Sequence, residues 1–262
     1  MSARVVHEGC ALAWLRAHPL PADASVLTSL PSFDEFSHRD VARWRDWFVD
    51  AAELTLRSTP AAGACVFFQT DVKHEGVWID KAFLVQLAAE RAGVPLVWHK
   101  LALRAPPGTA TGHRPGYAHL LCFSRSVRSA HDNATPDVLA RLGAKPWPRA
   151  MGDEVASTAV RWLAAHAAAR TIVAPFCGVG TALDAAEACG LAAVGIERNP
   201  GRARRARGVR TVRLDPRQIQ KRRVQVLELD RRAHPLPGRQ PTGRADHHRN
   251  LGQLGVDRAL MV

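Results

Sequence analysis

Between Val5 and Glu197 short apolar runs alternate with stretches whose apolar residues recur every three or four positions. Val5-Val6, a turn at Gly9 and the pair Leu12 and Leu15 predict a strand, a turn and a helix, which Pro19 and Pro21 stop. Ala24 to Leu30 predicts a strand that runs into the polar turn Pro31-Ser-Phe-Asp34. Val41, Trp44, Phe48, Ala51, Ala52 and Leu56 predict a helix over Asp40 to Arg57, followed by a strand at Ala64 to Phe68. A helix is expected over Asp80 to Ala92, with strands at Val94 to Leu103 and Ala118 to Phe123 enclosing a Gly- and Pro-rich loop, Arg104 to Tyr117. Ser124 to Pro148 is irregular and polar, the best internal linker. A helix from Met151-Gly152 to Ala168, a strand at Thr171 to Ala174, a helix at Thr181 to Cys189 and a strand at Ala192 to Ile196 complete the series. The alternation predicts an α/β fold, a mostly parallel sheet with helices on both faces.

A chain of 262 residues can bury one full α/β core plus an extension. Nothing in it approaches the roughly 18 uncharged apolar residues that cross a bilayer, and no secretion signal opens it. Five widely spaced cysteines form no Cys-x-x-Cys pair, which argues against a disulfide framework or a zinc site and fits a reducing cytoplasm. The net charge of +12 suggests a polyanion partner until its distribution is read. Residues 1–197 hold 19 basic and 19 acidic residues, and residues 198–262 hold 17 basic and 5 acidic. The excess therefore belongs to the C-terminal end, where composition predicts poor order beyond residue 210. That Arg-rich tail reads either as a basic arm or as a segment out of frame.

The strongest motif is Thr171-Ile-Val-Ala-Pro-Phe-Cys-Gly-Val-Gly-Thr181, followed by Ala193-Val-Gly-Ile-Glu197. A strand, a Gly-x-Gly turn and a helix start let the backbone approach a ligand closely and offer it free N–H groups. Glu197, at the end of the next strand, has the spacing of a carboxylate that accepts ribose hydroxyls. Pro175-Phe-Cys-Gly-Val-Gly-Thr181 resembles the first motif of methyltransferases that act on exocyclic amines of nucleic-acid bases. The resemblance implies a Rossmann-like class I fold, S-adenosyl-L-methionine as cofactor, and contacts to it from Pro175, Phe176, Cys177, Gly178, Gly180, Thr181 and Glu197. The family usually has Asp where this chain has Ala174. Loss of a charge-assisted bond there is expected to cost on the order of 1.5 to 3 kcal/mol, or roughly ten- to a hundredfold in affinity.

A second segment, Leu20 to Ser32, is similar to the family's catalytic loop and the strand before it, here placed ahead of the glycine loop as in one permuted branch. A base amine is a poor nucleophile because its lone pair is delocalised into the ring; acceptors that hold its hydrogens localise that pair. By resemblance Ser29 and the Leu30 carbonyl take those hydrogens, and Pro31 keeps the turn rigid. The stacking position is Ser32, so Phe33 or Phe36 is expected to supply the ring. Cys10 stands where the family has an Asp against the cofactor's adenine.

Phe68-Gln-Thr-Asp-Val-Lys73, Trp78-Ile-Asp-Lys81, Val97-Trp-His-Lys100, Arg114-Pro-Gly-Tyr-Ala-His119 and Arg149-Ala-Met-Gly152 resemble a methylase-like subgroup. They imply acceptor-binding roles for Asp71, Lys73, Lys100, Arg114 and Tyr117, and cofactor contacts from Met151 and Gly152. Trp98 and His99 read as strand packing. The resemblance implies a methyltransferase domain over residues 1–210 with a tail over 211–262. No metal is expected, and the partner is a nucleic acid, RNA slightly favoured over DNA because the neutral body lacks a target-recognition insert. Two other readings stand beside it: a methyltransferase for a protein or small molecule, and a non-catalytic nucleic-acid binder.

Overall fold

The computed structural model describes residues 3–37, 40–112, 114–129 and 135–208; the Arg-rich tail predicted for 211–262 lies outside them. The first strand β1 (Arg4–Glu8) leads through Gly9 into helix α1 (Ala11–Ala17), and strand β2 (Ala24–Thr28) follows. Helix α2 (Val41–Ser58) begins where Asp40 accepts the Arg43 N–H, and α3 (Lys81–Ala92) where Asp80 accepts the Phe83 N–H. Each carboxylate thus satisfies an orphan donor of the first turn. Strand β3 (Cys65–Gln69) lies between these helices in the chain. Between β3 and α3 the chain forms a small hairpin, β4 (Val72–His74) and β5 (Val77–Ile79), too short to carry a strand pattern in the sequence. The remaining elements are β6 (Leu96–Leu103), β7 (Tyr117–Phe123), the short β8 (Val138–Leu139), α4 (Asp153–His166), β9 (Thr171–Pro175), α5 (Thr181–Ala188), β10 (Ala192–Glu197) and α6 (Pro200–Gly208).

The main sheet runs in the order β1-β10-β9-β2-β3-β7-β6-β8. It is parallel except at β7, which pairs antiparallel with both β3 and β6. The cause is the connection: the described residues between Arg104 and Gly116 form no helix, and the Arg104 and Ala105 N–H groups both donate to the Gly116 carbonyl at 2.7 and 3.1 Å. A loop closed so tightly returns the chain beside the strand it left and cannot cross over to a parallel one. Helices α1 to α3 cover one face around Trp44, Phe48, Leu56 and Phe67, and α4 to α6 cover the other around Val155, Leu163, Ile172 and Leu183. No helix among the described residues is long and apolar enough to cross a membrane.

Two consequences of this topology position the site. Strands β2 and β9 are parallel neighbours although almost the whole domain separates them in the chain, and the Thr28 hydroxyl donates to the Pro175 carbonyl to lock their ends together. The loops that follow them therefore leave the same edge of the sheet side by side, where open α/β sheets place their ligands.

Candidate functional site

A cleft of about 850 Å³ opens at that edge. The β9 turn forms its floor. Phe176 has φ +60°, a left-handed conformation that costs a side-chain-bearing residue about 1–2 kcal/mol, and it brings its ring to the cleft. The two glycines of the turn have different duties. At Gly178, φ +60°, an added Cβ would meet nothing within 4 Å, so that edge of the turn is open. At Gly180, φ +98°, it would stand 3.2 Å from the Ala206 Cα, so this glycine lets α6 pack against the turn.

Glu197 lies beside the turn, as its spacing predicts. Its side chain is buried, with Oε2 accepting the Gly178 N–H at 2.9 Å and Oε1 the Asn199 N–H at 2.8 Å. An ionised carboxylate has about four acceptor positions, so each oxygen keeps capacity for a further donor. Thr181, the first residue of α5, lines the cleft with its buried hydroxyl unpartnered among the described residues. Burial, and then the charge of Glu197, push the Cys177 thiol up to about 12. It therefore stays a thiol at neutral pH and offers no thiolate nucleophile.

Ser29, Leu30 and Pro31 face the same cleft from the end of β2, and Cys10 and Met151 line it as well. Gly152 does not: it begins α4, where a Cβ would collide with the Leu142 carbonyl oxygen, so its role is the close approach of backbone. Ser32 turns away, its hydroxyl receiving the Lys81 Nζ at 3.1 Å. Phe33 is buried against Trp44 and His74 and is absent from the cleft lining. Phe36 is in the lining, 4.6 Å from Trp47 between ring centroids, and Trp47 is 6.0 Å from Phe176. The aromatic wall thus comes from three separate elements.

The acceptor-binding candidates outside the cleft divide by what they already hold. Asp71 is buried and accepts from the Lys81 N–H at 2.9 Å and the Trp78 Nε1 at 3.2 Å, with the His119 Nε2 at 3.0 Å, so it fastens the β4–β5 hairpin and the start of α3. Lys100 is buried and donates to the carbonyls of Thr135 and Pro136 and to Asp137, spending its ammonium on the chain. Lys73 lies on the exposed hairpin with its ammonium 5.3 Å from the Trp78 ring centre. Tyr117 packs edge-on against His119. Arg114 reaches Asp34 at the cleft mouth, 3.3 Å away. Among the described residues, Asp71, Asp80 and His119 are grouped closely enough to hold a metal ion. In this structure Asp71 binds the three groups just named, and Asp80 accepts the Phe83 N–H that starts α3.

The chain is similar in structure to three solved methylases. A Thermus thermophilus protein assigned as a DNA modification methylase, solved in complex with S-adenosyl-L-methionine, matches with a TM-score of 0.60 at 18% identity over 78% of this chain and 91% of that one. The cytosine-N4-specific PvuII DNA methyltransferase matches with 0.64 at 14% identity, over 87% and 94%. The M1.HpyAVI–SAM complex matches with 0.53 at 15% identity, over 78% and 98%. This chain has the fold of those methylases. No protein-family model and no curated protein sequence matches it.

Within the methylase fold, three contributors to the cleft carried no signal in the sequence. Trp47 follows Trp44 on α2 but lies off the apolar stripe that the helical period picks out. Asn199 and Arg202 enter at the start of α6, whose run Pro200-Gly-Arg-Ala-Arg-Arg-Ala-Arg-Gly208 is so rich in arginine that no apolar pattern marks it as a helix. Its two inward alanines, Ala203 and Ala206, are buried.

Proposed function

We propose that this chain transfers a methyl group from S-adenosylmethionine to an exocyclic amine of a nucleic-acid base. The observation that carries the reading is the convergence of Ser29 to Pro31 and Phe176 to Thr181 on one cleft, with Glu197 bonded to the Gly178 N–H. The residues present suit the cofactor: a carboxylate with spare acceptor capacity for ribose hydroxyls, an unpartnered Thr181 hydroxyl, an open edge at Gly178, and aromatic faces that favour a sulfonium. Pro175, Cys177, Cys10 and Met151 complete its walls. The bound cofactor supplies the electrophilic methyl group.

The protein's own work is orientation. Ser29 and the Leu30 carbonyl hold the amine hydrogens of the acceptor and turn its lone pair toward the donor, and Pro31 fixes the turn. Phe36 and Trp47 stack on the extruded base in place of the ring that Ser32 lacks. The raised Cys177 thiol does not compete with the acceptor amine for the methyl group. Methylases named for DNA support a DNA base over the RNA base that composition favours. Five free cysteines among the described residues accord with work in a reducing cytoplasm.

Calorimetric titration with S-adenosylmethionine tests the cofactor, and mass spectrometry of nucleosides from cells with and without the gene tests the acceptor. Saturable binding and a methylated base lost with the gene are expected. Absence of binding by the intact protein overturns the reading.

A further inference from the structure

At the mouth of the cleft two arginines from distant segments meet one oxygen. Arg149 Nη2 lies 2.9 Å and Arg114 Nη2 3.3 Å from the same Asp34 Oδ2, and the three side chains are 38%, 37% and 38% exposed. Arg149 comes from the segment before α4 and Arg114 from the β6–β7 loop, while Asp34 follows the Ser29 to Ser32 turn directly. Two further cations stand near them. Arg104 has a buried Nη1 without a partner among the described residues, and Lys145 donates to the Pro148 carbonyl at 3.2 Å. Burial and then the neighbouring arginines pull both groups below their ordinary pKa values, a sign that positive charge is crowded here. The adjacent Glu35 is matched separately, by Arg202 at 3.1 Å.

One carboxylate therefore answers two arginines, and neither makes more than one hydrogen bond to it where a guanidinium fork can make two. A phosphodiester has the same charge with two free oxygens, one for each fork. An exposed, screened pair is also easily exchanged. We propose that Asp34 holds the place of a nucleic-acid phosphodiester, which Arg114 and Arg149 grip when the carboxylate leaves, with Arg104 and Lys145 beside them for the next phosphate. The inference rests on the nucleic-acid reading of the acceptor and says where the strand's backbone runs.

The test is fluorescence anisotropy of the full chain with a short single-stranded DNA oligonucleotide, without cofactor, across a salt series. Asp34→Asn removes the competitor and is expected to tighten binding roughly two- to fivefold at low salt. Arg114→Gln and Arg149→Gln are each expected to weaken binding and to reduce the log–log salt slope by about 0.7. The contribution of the C-terminal basic residues is common to all variants and cancels in these differences. The inference is overturned if Asp34→Asn, folded by circular dichroism, binds no tighter, or if neither arginine variant changes the slope. It also falls if Asp34→Asn alters affinity for S-adenosylmethionine alone, which would assign the arginines to the cofactor's carboxylate. Failure of the methyl-transfer reading is distinct: it is the absence of cofactor binding by the unaltered protein.

Discussion

The Glu197 carboxylate accepts the backbone N–H of Gly178 at 2.9 Å, so the acidic end of β10 and the glycine turn after β9 are one structural unit. Two changes probe it. Gly178→Arg strains a backbone at φ +60° and adds bulk at the open edge of the turn, and is expected to abolish S-adenosylmethionine binding. Glu197→Gln removes the charge from its hydrogen bonds and is expected to weaken affinity roughly ten- to a hundredfold. Isothermal titration calorimetry reads both.

Ala174 is buried in β9 yet borders the cleft. Ala174→Asp places a carboxylate where the resembling family has one. The prediction has two opposite parts: the free protein melts at a lower temperature because the new charge is desolvated, and cofactor affinity rises roughly tenfold or more. Thermal shift with and without S-adenosylmethionine separates them, and a variant that is destabilised without any gain in affinity would favour a non-catalytic role.

Trp47 touches Phe36 on one side and Phe176 on the other. If this wall stacks on the acceptor base, Trp47→Ala should lower kcat/KM by roughly tenfold or more while leaving the fold intact, since base stacking is worth about 1–3 kcal/mol. A change confined to the cofactor's Kd would move the wall to the donor side.

Lys81 is almost fully buried, with its ammonium 5.9 Å from the centres of both the Trp44 and Phe48 rings. Burial, and then repulsion from Arg114, lower its pKa from 10.5 to about 8. Between those values the unfolded chain binds a proton that the folded one has lost, so stability rises with pH across that window, by a few kcal/mol, and is flat in this respect below it. Lys81→Met is expected to stabilise the protein at pH 7 and to remove the rise, as followed by guanidinium midpoints at several pH values. The same variant frees Ser32 and should lower kcat.

Arg4 is buried under α5 and α6, with its guanidinium 2.5 Å from Asp184, 2.7 Å from Glu187 and 2.7 Å from the Ala206 carbonyl oxygen. Arg4→Ala leaves two neighbouring carboxylates without their cation and should cost about 2–4 kcal/mol, given that the acids are partly exposed. Adding Asp184→Asn should recover part of the loss in urea unfolding.

Local chemistry settled much of this protein in advance. Asp40 and Asp80 announce their helices, Pro19 and Pro21 end one, and the period of the apolar residues sets the α/β alternation. The glycine turn with Glu197 was legible because its parts are joined by one helix and one strand, so sequence spacing nearly fixes spatial distance. Tertiary structure alone decided what depends on strand order. It set β2 beside β9 and so made one cleft of two remote loops; it buried Phe33 and spent Ser32 on Lys81, which left Phe36 and Trp47 as rings at the cleft. It also reversed β7 and gathered Arg114, Arg149 and Asp34 at one point. The physical reason is that periodicity records which face of an element is buried, whereas contacts between elements far apart in the chain follow from how the sheet is assembled and leave no mark in either segment separately.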